Sequence, residues 1–188
     1  YGFDEIFLAT NYKSEYIEKF FGDGSRYGVK LRISKETEPL GTAGPLTLLK
    51  EHLTEPFVVM NGDILTSLDF AKFYSFATEK DTLLSIAIKK EITPFAFGNI
   101  FYDGDYVTDI EEKPDLVNYI LAGIYTMQPG IFDLIPDGEY FGMDTLIKAM
   151  LKNDMPVAKY EMREYWLDIG RIEDYEKAEE IYEKHFNS

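Results

Sequence analysis

Phe57-Val58-Val59-Met60-Asn61-Gly62-Asp63 is the stretch from which the rest of the chain is read. Its four consecutive apolar residues have strand length and no alternation, which predicts a short strand covered on both faces. Asn-Gly-Asp then closes it. In an open α/β sheet, ligands bind outside the carboxyl ends of the strands. A carboxylate at Asp63 is therefore placed to hold a metal bound to phosphate oxygens, because Mg²⁺ takes one or two carboxylates plus phosphate. The same three letters also make an ordinary turn, and taken alone they fit a turn at least as well.

Upstream and downstream, strands and helices alternate. Ile6 to Thr10 reads as a buried strand, and Ser14 caps a helix whose apolar face is Tyr16, Ile17, Phe20 and Phe21, stopped by Gly22. Lys30 to Ser34 alternates like a strand. Pro45 suits a first helical position, followed by Leu46, Leu49 and Leu53 on one face. Ser67 or Asp69 opens a helix carrying Phe70, Phe73, Tyr74 and Ala77, and Leu83 to Ile88 is another strand. Asn99 to Tyr102 and Tyr106 to Glu111 flank Asp103-Gly104-Asp105, a hairpin signal. Ile120 to Met127 is a strand, Met143, Leu146, Ile147, Met150 and Leu151 mark a helix, and Val157 to Leu167 is a last strand region. Ile172, Tyr175, Ala178, Ile181 and Tyr182 trace a closing helix. The pattern is α/β, layered, with a mostly parallel central sheet plus a hairpin. Neither repeat nor linker interrupts residues 1–188, so they read as a single domain.

Composition narrows the chemistry. The 19 Lys and Arg against 34 Asp and Glu leave a formal charge of −15. That balance excludes a general nucleic-acid or anionic-membrane binder, both of which need a basic footprint. A 45% apolar share fills a real core. Cys is absent, which removes disulfides and thiolate chemistry and fits a reducing, cytoplasmic setting. With only His52 and His185, a multi-histidine metal site is excluded. The aromatic content leaves room for an interface between copies, a homo-oligomer. The chain starts at Tyr1 rather than Met, and the fold is expected to begin before it.

Three further segments invite chemistry. Trp166-Leu167-Asp168-Ile169-Gly170 repeats the logic of the opening stretch, with an Asp at a strand end; its ordinary reading is a cap for the last helix. Glu111-Glu112-Lys113-Pro114 ends a strand in a lysine that Pro114 should hold extended. That lysine meets a phosphate as a point charge or simply faces water at a strand edge. Glu38-Pro39-Leu40-Gly41-Thr42-Ala43-Gly44-Pro45 is a rigid small-residue loop whose glycines would let a flat ring lie on backbone amides, or else an ordinary connection. By contrast Gly22-Asp23-Gly24-Ser25-Arg26-Tyr27-Gly28 has the wrong spacing for a dinucleotide loop, and it follows a helix instead of opening one.

Taken in order, Glu36 to Pro45 (ETEPLGTAGP), Asn61 to Asp63 (NGD), Glu111 to Pro114 (EEKP), Ala122 to Tyr125 (AGIY) and Trp166 to Gly170 (WLDIG) resemble the sugar-1-phosphate nucleotidyltransferase family. The nearest flavour is its mannose-1-phosphate guanylyltransferase-like branch. The resemblance implies a Rossmann-like three-layer fold and transfer of a nucleoside monophosphate from a nucleoside triphosphate to a sugar 1-phosphate, giving a nucleotide sugar for glycan precursors, and pyrophosphate. It implies Mg²⁺ on Asp63 and Asp168, sugar phosphate on Lys113 and sugar hydroxyls on Glu112. It also implies close sugar approach at Gly98 and Gly123, and the nucleobase at Leu40, Gly41 and Thr42, with guanine favoured. Two departures stand out. Leu121 takes the place of the family's usual Asn, and the family's first strand, its glycine-rich G-x-G-T-R loop and its P-K-P lysine are absent from these residues. The 188-residue chain is accordingly expected to be an N-terminally incomplete catalytic domain with weak activity or none. The alternative is a nucleotidyltransferase-like module that binds or regulates without catalysing.

Overall fold

The fold can be built from the chain in order, strand by strand. The computed structural model describes residues 2–170 and 172–186. β1 (Glu5–Thr10) and β2 (Lys30–Lys35) form a parallel two-stranded sheet in register from Glu5↔Lys30 to Thr10↔Lys35. Between them lies α1 (Ser14–Phe21). Ser14 is its first residue and not its cap: Lys13 takes the cap position in a left-handed backbone, φ +56°. The Ser14 hydroxyl instead shares a buried 2.8 Å hydrogen bond with the Thr10 hydroxyl. Nor does the predicted apolar face sink into a core. Tyr16 and Phe20 are exposed, and the Arg26 guanidinium covers the Phe20 and Tyr27 rings at 4.9 and 4.6 Å.

Pro45 opens a 3-10 segment, Gly44–Leu49, where the spacing predicts an α-helix. Its Leu46 and Leu49 are buried all the same. β3 (Phe57–Met60) leads into β4 (Ile64–Thr66) and α2 (Phe70–Lys80), which Asp69 caps by accepting the Lys72 N–H at 3.1 Å. β5 (Leu84–Pro94) precedes the hairpin of β6 (Asn99–Asp103) and β7 (Tyr106–Glu111), and β8 (Asp115–Met127) follows. After α3 (Met143–Lys152) come β9 (Val157–Met162), β10 (Trp166–Asp168) and α4 (Ile172–Phe186). The last strand region of the sequence reading is thus two strands, and they belong to different sheets.

A mixed four-stranded sheet runs in the order β3-β8-β5-β9. β3 therefore stands at an edge, and the expectation of a strand covered on both faces fails. Phe57, Val58 and Val59 are half-buried and Met60 is 42% exposed. The continuous apolar run marks a sheet strand correctly, but an edge position leaves it open to solvent.

The chain divides into two compact units. Unit 1 comprises Tyr1–Met60, Asp69–Ser85 and Tyr125–Ala158; unit 2 comprises Asn61–Leu68, Ile86–Ile124 and Lys159–Ser188. Unit 1 has the fuller core, built on Phe73, Leu84, Met127, Ile131, Leu146 and Met150, each at most 1% exposed. Unit 2 buries the smaller set Ile64, Leu68, Ala87, Ile88, Ala122, Ile124 and Met162. Among the described residues no helix is long and apolar enough to cross a membrane.

Candidate functional site

Asp63 and Asp168 lie 105 positions apart, and folding makes them neighbours. β4 pairs antiparallel with β10 in the register Trp166↔Thr66, Leu167↔Leu65 and Asp168↔Ile64. Partners in such a ladder stand ~4.5–5.5 Å apart between α-carbons. Asp63 is the next residue out, and its carbonyl accepts the Ile169 N–H at 2.8 Å. Both aspartates thus occupy one end of one ladder, within unit 2, and both are exposed. Asp168 Oδ1 accepts the Gly170 N–H at 2.9 Å, which fixes that side chain while leaving Oδ2 free of the turn. Neither carboxylate is ion-paired with any described cation. Two aspartates at neighbouring backbone positions, both solvent-facing and neither ion-paired with a described cation, are of the residue type that Mg²⁺ uses when phosphate oxygens and water complete its shell. No group of three or more His, Cys, Asp and Glu side chains gathers among the described residues, so protein atoms alone do not form a full cage.

The AGIY segment backs this pair. Gly123 has φ +69° and accepts the Asn61 N–H through its carbonyl at 2.9 Å. A Cβ at Gly123 would stand 2.9 Å from Asn61 Nδ2 and 3.3 Å from Ile64 Cγ1, so only glycine lets β8 come this close to the NGD turn. Next to it, the Ala122 carbonyl accepts the Trp166 indole N–H at 2.8 Å. Tyr125, at the end of the motif, is a core residue: burial pushes its phenol above the usual range, so it stays neutral. Sequence reasoning names Gly123 and the two aspartates, but it misses Asn61 and Trp166 as the groups that join three motifs. Trp166 carries an indole N–H beside a strand end, which is a signal, whereas Asn61 joins through a backbone N–H that its residue type does not reveal, and no spacing rule pairs residues so far apart.

Gly98, Glu112 and Lys113 form a second cluster in the same unit. Asn99 pairs with Glu111 in the hairpin, and the Phe95 N–H reaches the Pro114 carbonyl at 2.9 Å. A Cβ on Gly98 would meet a Glu112 carboxylate oxygen at 3.2 Å, so the two predicted sugar contacts are side by side. Lys113 is not extended. Its φ is +48°, in the left-handed region, and it is exposed. Pro114 does bar the right-handed helical region. The three-residue connection from β7 to β8 is met by a left-handed turn, with buried Pro114 held in place by Phe95. Such a conformation costs a non-glycine residue ~1–3 kcal/mol and concentrates at functional positions. No described side chain ion-pairs the Lys113 ammonium. No hydrogen bond or ion pair among the described residues ties this cluster directly to Asp63 or Asp168; β8, which starts two residues after Lys113, reaches the segments that carry them through the hydrogen bonds accepted by Ala122 and Gly123.

The Leu40–Thr42 loop belongs to unit 1. Its amides are partly used by the protein itself: Leu40 N–H donates to Glu36 Oε2 at 2.9 Å, and the Ala43 and Gly44 N–H groups donate to the Phe141 carbonyl at 2.9 and 3.0 Å. The Thr42 hydroxyl accepts the Met143 N–H at 2.8 Å, capping α3 from outside the helix. Leu40 is buried, Gly41 half-buried and Thr42 exposed.

A family model described as "Nucleotidyl transferase" matches residues 1–185. The chain belongs to the nucleotidyl transferase family. It is 32% identical over 190 residues to the "Probable mannose-1-phosphate guanylyltransferase 1" of Oryza sativa subsp. japonica, an alignment covering 96% of this chain and 52% of that protein. The chain thus spans about half the length of the curated relatives it matches. Among solved structures, HddC from Yersinia pseudotuberculosis superposes with a TM-score of 0.72 at 28% identity, covering 96% of this chain and 80% of that one. HddC complexed with GMP-PN gives 0.68 at 28% identity, with 94% and 78% covered. The α/β nucleotidyltransferase fold of the sequence reading is the fold of these neighbours.

Proposed function

We propose that this chain carries the transfer chemistry of a sugar-1-phosphate nucleotidyltransferase, with guanosine triphosphate as the favoured donor. The observation that carries the reading is the β4–β10 ladder, which sets Asp63 beside Asp168. The guanylyl preference is supported by the named relatives and by the GMP-PN complex of HddC.

In this reading Asp63 and Asp168 hold Mg²⁺, which when bound neutralises charge on the triphosphate oxygens. Lys113, whose ammonium has no ion-pair partner among the described residues, pairs with the phosphate of the sugar 1-phosphate, lowering that group's repulsion from the triphosphate and fixing its direction. A phosphate oxygen of the sugar 1-phosphate attacks the α-phosphorus of the nucleotide. The new P–O bond forms as the bond to the bridging oxygen breaks, and pyrophosphate leaves with that electron pair. Glu112 accepts hydrogen bonds from sugar hydroxyls and Gly98 lets the sugar approach the backbone, whereas Gly123 is buried against Asn61 and Ile64 and serves to bring β8 up to the NGD turn. Leu40, Gly41 and Thr42 are the residues assigned to the nucleobase. No covalent enzyme intermediate is required, so a chain without Cys is at no disadvantage.

The test is a screen of the purified protein with Mg²⁺, each of the four common nucleoside triphosphates and a panel of sugar 1-phosphates. It reads pyrophosphate release and, in parallel, calorimetric binding of each Mg²⁺–nucleotide. Saturable binding of at least one nucleotide, lost in Asp63→Asn and Asp168→Asn, is the expected result. Unchanged binding or turnover in both variants, or binding of no nucleotide, overturns the reading.

A further inference from the structure

Strand β10 is three residues long, and so is β4, its ladder partner among the described strands. A two-stranded sheet of this size has little stability of its own, yet it carries Asp168. Several bonds tie β10 to the β4 side. Ser67 N–H and the Thr66 hydroxyl both donate to the Tyr165 carbonyl, at 3.1 and 2.8 Å, and Tyr165 N–H donates to the Ser67 hydroxyl at 3.1 Å. These bonds fix β10 against β4 but cannot fix the pair against the rest of unit 2. The Lys89 ammonium holds the Glu164 carbonyl at 2.7 Å, four residues before Asp168. Closer to the aspartates, two further bonds do the job. Asn61 N–H reaches the Gly123 carbonyl at 2.9 Å, and the Trp166 indole N–H reaches the Ala122 carbonyl at 2.8 Å. The acceptors are consecutive residues of β8. With the Ile169–Asp63 bond at 2.8 Å they close a ring through the NGD turn, β10 and β8.

We propose that Trp166 is a positioning residue: its indole N–H anchors β10 to β8 and so holds Asp168 at the separation from Asp63 that a shared cation needs. The inference rests on the reading of these two aspartates given above and assigns a function to a side chain that touches neither substrate nor metal. Asn61 anchors its side through the backbone, which most substitutions leave in place. Trp166 anchors through a side chain, so a substitution can remove that bond alone.

Two variants separate the hydrogen bond from ring packing. Trp166→Phe deletes the donor and part of the ring. Replacing Trp166 with 3-benzothienylalanine puts sulfur where the N–H was and keeps the shape. The probe is Mn²⁺ with GTP on the whole chain, with free Mn²⁺ read by electron paramagnetic resonance. Loss of one neutral hydrogen bond predicts Mn²⁺–GTP binding about three- to tenfold weaker in both variants, at a temperature well below either melting point. Trp166 is the single tryptophan, so its own emission, excited at 295 nm (about the red edge of indole absorption, clear of guanine), reports the contact without a label. Mn²⁺–GTP is expected to quench it in the parent and not in Asp168→Asn. Parent-like affinity in the benzothienyl protein overturns the proposal, as does a lower melting temperature with affinity unchanged. If instead Asp168→Asn binds Mn²⁺–GTP as the parent does, it is the two-aspartate reading that fails, and the role of Trp166 falls with it.

Discussion

The two units differ in what holds them together. Of the buried apolar residues described, fourteen lie in unit 1 and seven in unit 2. Both units leave large apolar side chains more than half exposed, Tyr12, Tyr16 and Phe20 in unit 1 and Phe97, Tyr102 and Val107 in unit 2. Yet Asp63, Asp168, Lys113, Glu112, Gly98 and Gly123 all belong to unit 2. Unit 1 has twice as many buried apolar residues, while in unit 2 specific hydrogen bonds and a close backbone approach at Gly123 set the segments that carry both aspartates. In the proposed reading, the chemistry sits where side chains are free to meet substrate, on segments whose positions are set bond by bond.

The sharpest way to break this comparison is to remove the carboxylates. Where turnover is measurable, Asp63→Asn or Asp168→Asn should cost it on the order of 10³-fold, several kcal/mol of barrier, and Mg²⁺–nucleotide binding should weaken with it, while the melting temperature barely moves. Matched initial-rate and calorimetric measurements check it. Next come paired truncations, one in each unit. Phe73→Ala in unit 1 should destabilise by ~3–5 kcal/mol, whereas Ile110→Ala on the exposed hairpin should stay within ~0.5 kcal/mol, both read by urea unfolding. Gly123→Ala should cost ~1–3 kcal/mol, through its positive φ and the 2.9 Å approach to Asn61 Nδ2, and should lower nucleotide binding together with stability.

Lys113→Gly separates strain from function. Relief of the left-handed backbone should stabilise the protein by ~0.5–1 kcal/mol, and affinity for the sugar 1-phosphate should fall. A stabilised protein with unchanged affinity would remove Lys113 from the site. The smallest effect is expected at Asp69 in unit 1. The hydrogen bond and ion pair from Lys72 hold its carboxyl below the usual range. Its folded pKa is thus below its unfolded one, so its contribution is present above the unfolded value and is lost as pH falls through the folded one. Thermal melts of Asp69→Ala against the parent should differ at neutral pH and converge in acid, below about pH 4.

Elements with a long periodic pattern are legible from the amino-acid order alone. α2 with Phe73 and Ala77, α3 with Leu146 and Met150, and the hairpin around Gly104 all stand where the spacing puts them. Local backbone conformation is less legible. Proline restricts the residue before it and so predicts an extended Lys113, but a three-residue link between strands imposes a left-handed turn. Residue type makes Ser14 a cap, while a buried Thr10 hydroxyl four residues earlier needs a partner and takes it. An apolar run overstates the burial of β3 because it does not reveal sheet order, and order is what places that strand at an edge. For the site, the residue types and the order of the motifs point to both aspartates. Their adjacency cannot be read, since it depends on a β4–β10 register that no local signal encodes.

The hairpin has one more consequence, for behaviour in concentrated solution. β6 and β7 pair only with each other among the described strands, and Ile100, Tyr102, Val107 and Ile110 are exposed along them. Open edges with apolar side chains are templates for strand addition by a neighbouring molecule. Asp103, Asp105, Asp109 and Glu111 interrupt that template, and a net charge of −15 keeps molecules apart. Colloidal stability therefore depends on the acidity of the chain: at 1 M salt, where the screening length falls to ~3 Å, that repulsion disappears while the sticky strands remain.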